Sequence, residues 1–150
     1  MHVPVPWVFV LTSLAGVVIE YACPWSGQQN PMRRVDVRIG GAVLFAIGAA
    51  FAAWGWITFR KARTTTIPGR VSSTLVTWGP YRFSRNPMYI GLSVAYLGEA
   101  GMLRQFWPVL LLPLTLAYLN WIVIPVEESR LMEVFGEAYA GYRSKIRRWL

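Results

Sequence analysis

The chain reads as an all-α integral membrane protein of four transmembrane helices followed by a cytoplasmic amphipathic helix. Hydrophobic residues make up 55% of it and charged residues only 15%, a balance suited to lipid rather than water. Four apolar stretches, Val3–Ala22, Val37–Phe59, Met88–Leu103 and Phe106–Val126, are long enough to cross or nearly cross a hydrocarbon core of ~30 Å at ~1.5 Å per residue. Eleven of the fifteen basic residues fall in the two segments that four spans would place on one face. Residues 1–150 therefore read as a single transmembrane domain.

The first span carries Pro4 and Pro6 at its start, where missing amide donors are tolerated, and meets no charge until Glu20. A cleaved signal peptide fits poorly, because no basic region precedes the apolar run and Tyr21-Ala22-Cys23-Pro24 is a poor cleavage site. In the second span Gly41, Gly48 and Gly55 recur at intervals of seven, with Ala52 four after Gly48. Small residues so spaced line one side of a helix and admit a close neighbour, either within the bundle or in a homo-oligomer.

The stretch from Arg60 to Asn86 is too long for a simple connector. Ile67-Pro68-Gly69 and Trp78-Gly79-Pro80-Tyr81 predict ordered turns within it. Pro87 forces Asn86 out of helical geometry and suits a first helical turn, so the third span begins there. Only Arg104-Gln105 separates the third and fourth spans, which predicts a tight helical hairpin. Beyond the fourth, Glu128, Leu131, Phe135, Tyr139 and Tyr142 recur every three or four residues, the period of one amphipathic helix at the interface. Glu99 is an acid inside a span and so a functional candidate. It stands ~15 Å along the helix from Tyr89, near the opposite interface, where Arg104 or water could satisfy it.

The formal charge of +8 suggests nucleic acid, but its placement argues for the membrane surface. Arg60, Lys61, Arg63, Arg70, Arg82 and Arg85 precede the third span, and Arg130, Arg143, Lys145, Arg147 and Arg148 follow the fourth. The positive-inside rule puts these segments and both termini in the cytoplasm, against anionic lipid. Cys23 is the only cysteine and His2 the only histidine, which excludes a disulfide framework, the usual zinc and di-iron sites and a histidine triad.

Chemistry concentrates in two places. Gly79 to Gly91 packs Tyr81, Arg82, Arg85, Asn86 and Tyr89 around the start of the third span, where free amides and arginines could hold an anion. The same residues would serve equally as an interfacial anchor. Glu127-Glu128, directly after Ile124-Pro125-Val126, are adjacent acids on a basic surface. They could cap a helix and pair with arginines, or receive an amine or ribose hydroxyls. Together the two segments offer arginines for a carboxylate, acids for an amine and tyrosine faces for a cation or adenine, an inventory suited to S-adenosylmethionine.

The run Gly-Pro-Tyr-Arg, then Arg85-Asn86-Pro87-Met88-Tyr89-Ile90-Gly91, a hydrophobic hairpin, Glu127-Glu128-Ser129-Arg130-Leu131, Phe135-Gly136, Tyr139 and Tyr142 resembles the membrane methyltransferases. That group includes isoprenylcysteine carboxyl methyltransferases and phospholipid N-methyltransferases. The resemblance runs from about Thr66 to Arg148 and implies a cofactor-binding portion there. It implies S-adenosylmethionine bound by Tyr81, Arg82, Asn86, Pro87, Tyr89, Gly91, Glu127 and Glu128, with Arg85, Tyr139 and Tyr142 at the acceptor. Asn86 stands where isoprenylcysteine enzymes usually carry histidine. Asn-Pro-Met-Tyr with Ser93 and Tyr96-Leu97-Gly98 is more like the phospholipid enzymes, whereas the Phe-Gly and two-tyrosine tail is like the isoprenylcysteine branch.

Methyl transfer from a sulfonium is an in-line displacement that needs no metal and relies on positioning and exclusion of water. A carboxylate acceptor held by Arg85 needs no base, whereas an amine would give its proton to Glu127 or Glu128. The expected activity is methylation of an amphiphile entering from the bilayer, either isoprenylcysteine carboxyl methyltransferase-like or that of a phospholipid N-methyltransferase. A nicotinamide-dependent membrane reductase and a non-catalytic membrane adaptor compete with it. The similar motif of the reductases usually has histidine and a following acid where this chain has Asn86 and Leu92.

Overall fold

The computed structural model describes residues 5–23, 37–62 and 74–150, and every regular element among them is helical. They are α1 (Val5–Ala22), α2 (Arg38–Lys61), a 3-10 turn (Gly79–Arg82), α3 (Pro87–Leu103), α4 (Trp107–Tyr118), a π turn (Leu119–Val123), α5 (Ile124–Phe135) and α6 (Glu137–Lys145). The predicted turn at Ile67-Pro68-Gly69, and His2, Arg33, Arg34, Arg63 and Arg70, lie outside the described residues.

Among the described residues three helices are long and apolar enough to cross a membrane: α1, α2 and the uninterrupted run Trp107–Phe135. Their outward residues are large and apolar, among them Trp7, Val18, Ile39, Ile47, Trp54 and Trp121, all exposed. Bilayer-facing helices have this pattern, because lipid rather than protein covers their side chains. The third predicted span, α3, has 17 residues, and Tyr89, Ala95, Tyr96 and Ala100 on it are buried. It is the central helix, lying against α1, α2 and α4.

The α2–α3 seam is built from glycine on both sides. A Cβ on Gly48 would lie 2.6 Å from the Gly91 carbonyl oxygen, and one on Gly91 would lie 2.7 Å from the Gly48 oxygen. Gly41 and Gly98 oppose each other in the same way, at 2.8 and 2.7 Å. Gly55 meets Met88. The glycine face of α2 is thus used within the bundle, against α3.

The connection between α3 and α4 is as short as predicted. Arg104 closes α3 in the left-handed conformation at φ 54°, with its amide and that of Gln105 returning to Gly101 and Ala100. Glu20 at the end of α1 accepts the Phe106 amide at 3.3 Å, one of the donors an α-helix start leaves unpaired. Glu99 lies toward this end of α3, remote from Tyr89.

The segment after α4 departs from expectation once. The helix that begins at Trp107 continues through the π turn into α5. Where one tail helix was expected the chain forms two helices, because Gly136 at φ 49°, ψ −124° breaks it between Phe135 and Glu137. Glycine takes that geometry without a Cβ clash, and the three-to-four spacing that crosses it is not one helical face.

Candidate active site

Phe59 at the end of α2 packs edge-on against Tyr81, ring centroids 5.0 Å apart, seating the 3-10 turn beside the start of α3. Pro87 occupies the first turn of α3, and Asn86 before it is non-helical at φ −127°, ψ 53°. This carries Arg85 toward α5 and α6.

The two predicted motifs meet there. Arg85 Nη1 donates to Glu128 Oε1 at 2.6 Å and to the Tyr139 hydroxyl at 3.4 Å. Tyr89 donates its hydroxyl to both Glu127 oxygens. The adjacent acids therefore divide: Glu127 takes the phenol on α3 and Glu128 takes guanidinium groups. Glu128 and Arg85 are well buried, their side chains 8% and 11% exposed, so their ion pair is little screened. The Tyr142 hydroxyl donates to the Tyr81 carbonyl oxygen at 2.8 Å, tying α6 to the 3-10 turn.

Burial pushes the Tyr142 hydroxyl up to about 12, with Arg85 opposing and Tyr139 adding to the shift. Burial raises Tyr139 and Tyr81 as well. All three are neutral hydroxyls at physiological pH.

Not every predicted site residue joins the cluster. The Arg82 side chain is exposed. Gly91 packs against Gly48 and Ala52 of α2. Pro87 is buried at the helix start and shapes the backbone.

Four residues that the motifs did not single out complete the arrangement. Buried Ser84 donates to the Arg148 carbonyl oxygen at 3.1 Å and accepts the Asn86 amide at 3.0 Å. The Asn86 side chain donates to the same Arg148 oxygen at 2.9 Å. Arg148 grips Glu128 with Nε at 3.1 Å and Nη2 at 2.8 Å, and its Nη1 reaches Asn120. Trp149 also donates to the Asn120 side chain. Asn120 is visible in the sequence as an amide within an apolar span, a recognised signal. Arg148 stands in a basic run where nothing marks it out.

Two buried polar atoms here lack a protein partner, the Tyr81 hydroxyl and Arg85 Nε. Such groups are costly unless something pairs with them, which marks where a ligand's polar atoms would fit. A cavity of about 370 Å³ adjoins the cluster, lined by Pro125, Glu128, Ser129, Met132, Arg143 and Arg148. That volume is within the ~300–1,000 Å³ of small-molecule sites.

Residues 37–138 match the phospholipid methyltransferase family. The chain is 38% identical over 72 residues to the protein-S-isoprenylcysteine O-methyltransferase of Schizosaccharomyces pombe, covering 48% of this chain and 30% of that one. It is 35% identical over 71 residues to the cobalt-zinc-cadmium resistance protein CzcN of Cupriavidus metallidurans, covering 47% of this chain and 33% of that one. The matched part is thus about a third of each relative's length. No solved structure matches. The family match takes in α2, α3 and the paired acids, and by it the chain belongs to the phospholipid methyltransferase family.

Proposed function

We propose that the protein is an integral membrane methyltransferase that uses S-adenosylmethionine to methylate an amphiphilic acceptor at the cytoplasmic membrane face. The observation that carries this reading is the 2.6 Å contact between Arg85 and Glu128, which joins two motifs 43 residues apart in a chain of this family. The residues fit the cofactor: the unpaired Tyr81 hydroxyl is a donor for its carboxylate or ribose, and Glu127 is held by a phenol rather than by a guanidinium. Bound there, S-adenosylmethionine supplies a methyl group on a sulfonium, open to in-line displacement. Tyr81, Asn86, Tyr89, Glu127 and Glu128 hold it, with Pro87 and Gly91 shaping the helix on which they stand and Arg82 at the exposed rim. Arg85, Tyr139 and Tyr142 form the acceptor side, and the α1, α2 and α4 walls exclude water.

In this reading α3 is the fourth crossing. At ~1.5 Å per residue it is ~25 Å long, short for a span, and its neighbours shield it from lipid. The basic ends of α2 and α6 then lie in the cytoplasm with the site, and the acceptor arrives from the bilayer.

The acceptor favoured is a carboxylate of the isoprenylcysteine type, because both Glu128 oxygens are engaged by arginines and Arg85 keeps an unpaired donor. A phospholipid amine is the second reading, supported by the family match and by Glu127 as a proton acceptor. Nothing in the family match favours a nicotinamide cofactor.

The test incubates purified protein in lipid with methyl-labelled S-adenosylmethionine and membrane extract. Label released as methanol by mild base identifies a carboxyl ester, and base-stable label in lipid identifies an N-methyl product. No incorporation, with no binding of S-adenosylhomocysteine, would leave the non-catalytic adaptor.

A further inference from the structure

The π turn leaves a backbone group without its ordinary partner. In an α-helix the Asn120 carbonyl would accept the Ile124 amide, but that amide bonds to Leu119 instead. The next donor along a π turn is residue 125, a proline with no N–H. Arg148 Nη1 fills the gap, donating at 3.2 Å to both the Asn120 carbonyl and its side-chain oxygen. All three Arg148 guanidinium nitrogens therefore have protein acceptors, two on Glu128 and one on Asn120. Arg85 by contrast keeps Nε unpaired.

The backbone around Arg148 is committed as well. Its carbonyl accepts from Ser84 and Asn86, and the Arg147 carbonyl accepts the Arg85 amide at 3.0 Å. Lifting this segment away would release three donors in the first motif together with Glu128 in the second. The segment is part of the site's frame, not a plug that vacates it.

We propose that Arg148 is a positioning residue of the site: anchored on the Asn120 carbonyl that Pro125 leaves free, it fixes the Glu128 carboxylate and clasps the Ser84–Asn86 turn to it. The assignment rests on the methyltransferase reading above and lies beyond the family match, which ends at residue 138. With every guanidinium nitrogen of Arg148 already on a protein acceptor, the residue acts through Glu128.

S-adenosylhomocysteine titration of the full chain in lipid, with wild type, Arg148→Met, Arg148→Lys, Glu128→Gln, the Glu128→Gln/Arg148→Met double variant and Asn120→Ala, tests it. Arg148→Met should weaken binding about 10- to 100-fold, as loss of charge-assisted bonds does. Arg148→Lys should recover part of this, because it restores the charge without the fork. In the double variant the second change should add less than about twofold, since Arg148 then has no carboxylate to hold. Asn120→Ala keeps the backbone carbonyl and removes only the side-chain oxygen, so it should weaken binding less than Arg148→Met does, and Arg148→Lys decides the matter if Arg148→Met does not fold. Wild-type binding retained in folded Arg148→Met or in Arg148→Lys, or fully additive losses in the double variant, would overturn the assignment alone. Absence of binding by wild type would overturn the methyltransferase reading and the assignment with it.

Discussion

The Tyr89 hydroxyl sits 2.7 and 2.8 Å from the two oxygens of Glu127, so one donor on the central helix serves both lone-pair faces of an acid 38 residues away. Tyr89 is 7% exposed, and little water can replace its hydroxyl. Tyr89→Phe should lower stability by ~1–3 kcal/mol, the cost of leaving a buried polar group without its partner. S-adenosylhomocysteine binding should weaken with it. Thermal unfolding and titration in the same lipid check this, and unchanged values in both would show that Glu127 does not depend on Tyr89.

The α2–α3 seam gives a sharper test of packing. A Cβ at Gly48 would meet backbone atoms of Gly91 and Ala95, which cannot rotate aside, so Gly48→Ala must push the helices apart. The expected loss is ~1–3 kcal/mol, as for other overpacked cores. Gly40 is on the same helix with nothing within 4 Å of its Cβ position, and Gly40→Ala should gain up to ~1 kcal/mol from helix propensity. Melting temperatures should therefore move in opposite directions. Equal effects would mean that the glycines serve the backbone and not the seam.

The seam also shows what was legible in the chain. The spacing of Gly41, Gly48 and Gly55 announced a close helix contact, but the partner became evident only once Gly91 and Gly98 were seen at the same interval on α3. Apolar run lengths placed the four hydrophobic helices to within a few residues at most ends, because hydropathy and the prolines at their starts are local signals. Glu127-Glu128 reads as leaving the membrane, and the helix continues unbroken through them. Arg85, Glu127 and Glu128 were legible from their motifs. The role of Arg148 was not, because it depends on a π turn and a proline 23 residues earlier, a relation that no local pattern carries.

Tyr142 links α6 to the 3-10 turn through a neutral hydroxyl. Folding raises its pKa from 10.0 to about 12, so the protonated form is favoured in the folded state. The bond should contribute in full below about pH 10 and be lost as pH rises through about 12. Tyr142→Phe should cost ~1 kcal/mol at neutral pH, the net value of a typical hydrogen bond. Denaturation at several pH values checks the sign. The stability gap between the two proteins should hold steady to about pH 10 and close toward about pH 12, and a gap that widened there would contradict the raised pKa.

Topology can be read from a residue already in place. Cys23 is exposed at the end of α1 and is the only cysteine, so a membrane-impermeant maleimide reports one position without engineering. If the basic ends of α2 and α6 lie in the cytoplasm, α1 carries Cys23 to the opposite side. It should react in sealed cells before permeabilisation. A Cys23→Ser/Leu150→Cys variant should react only afterwards, because an odd number of crossings, α2, α3 and the α4–α5 run, separates the two positions. The pair of results also decides the status of α3, whose 17 residues make it the shortest candidate crossing. Were α3 to enter and leave on one side, two crossings would remain between the positions and both cysteines would react from the same face. Reaction of Leu150→Cys alone in sealed cells would instead invert the molecule and move the Arg85–Glu128 site outside, away from a cytoplasmic supply of cofactor.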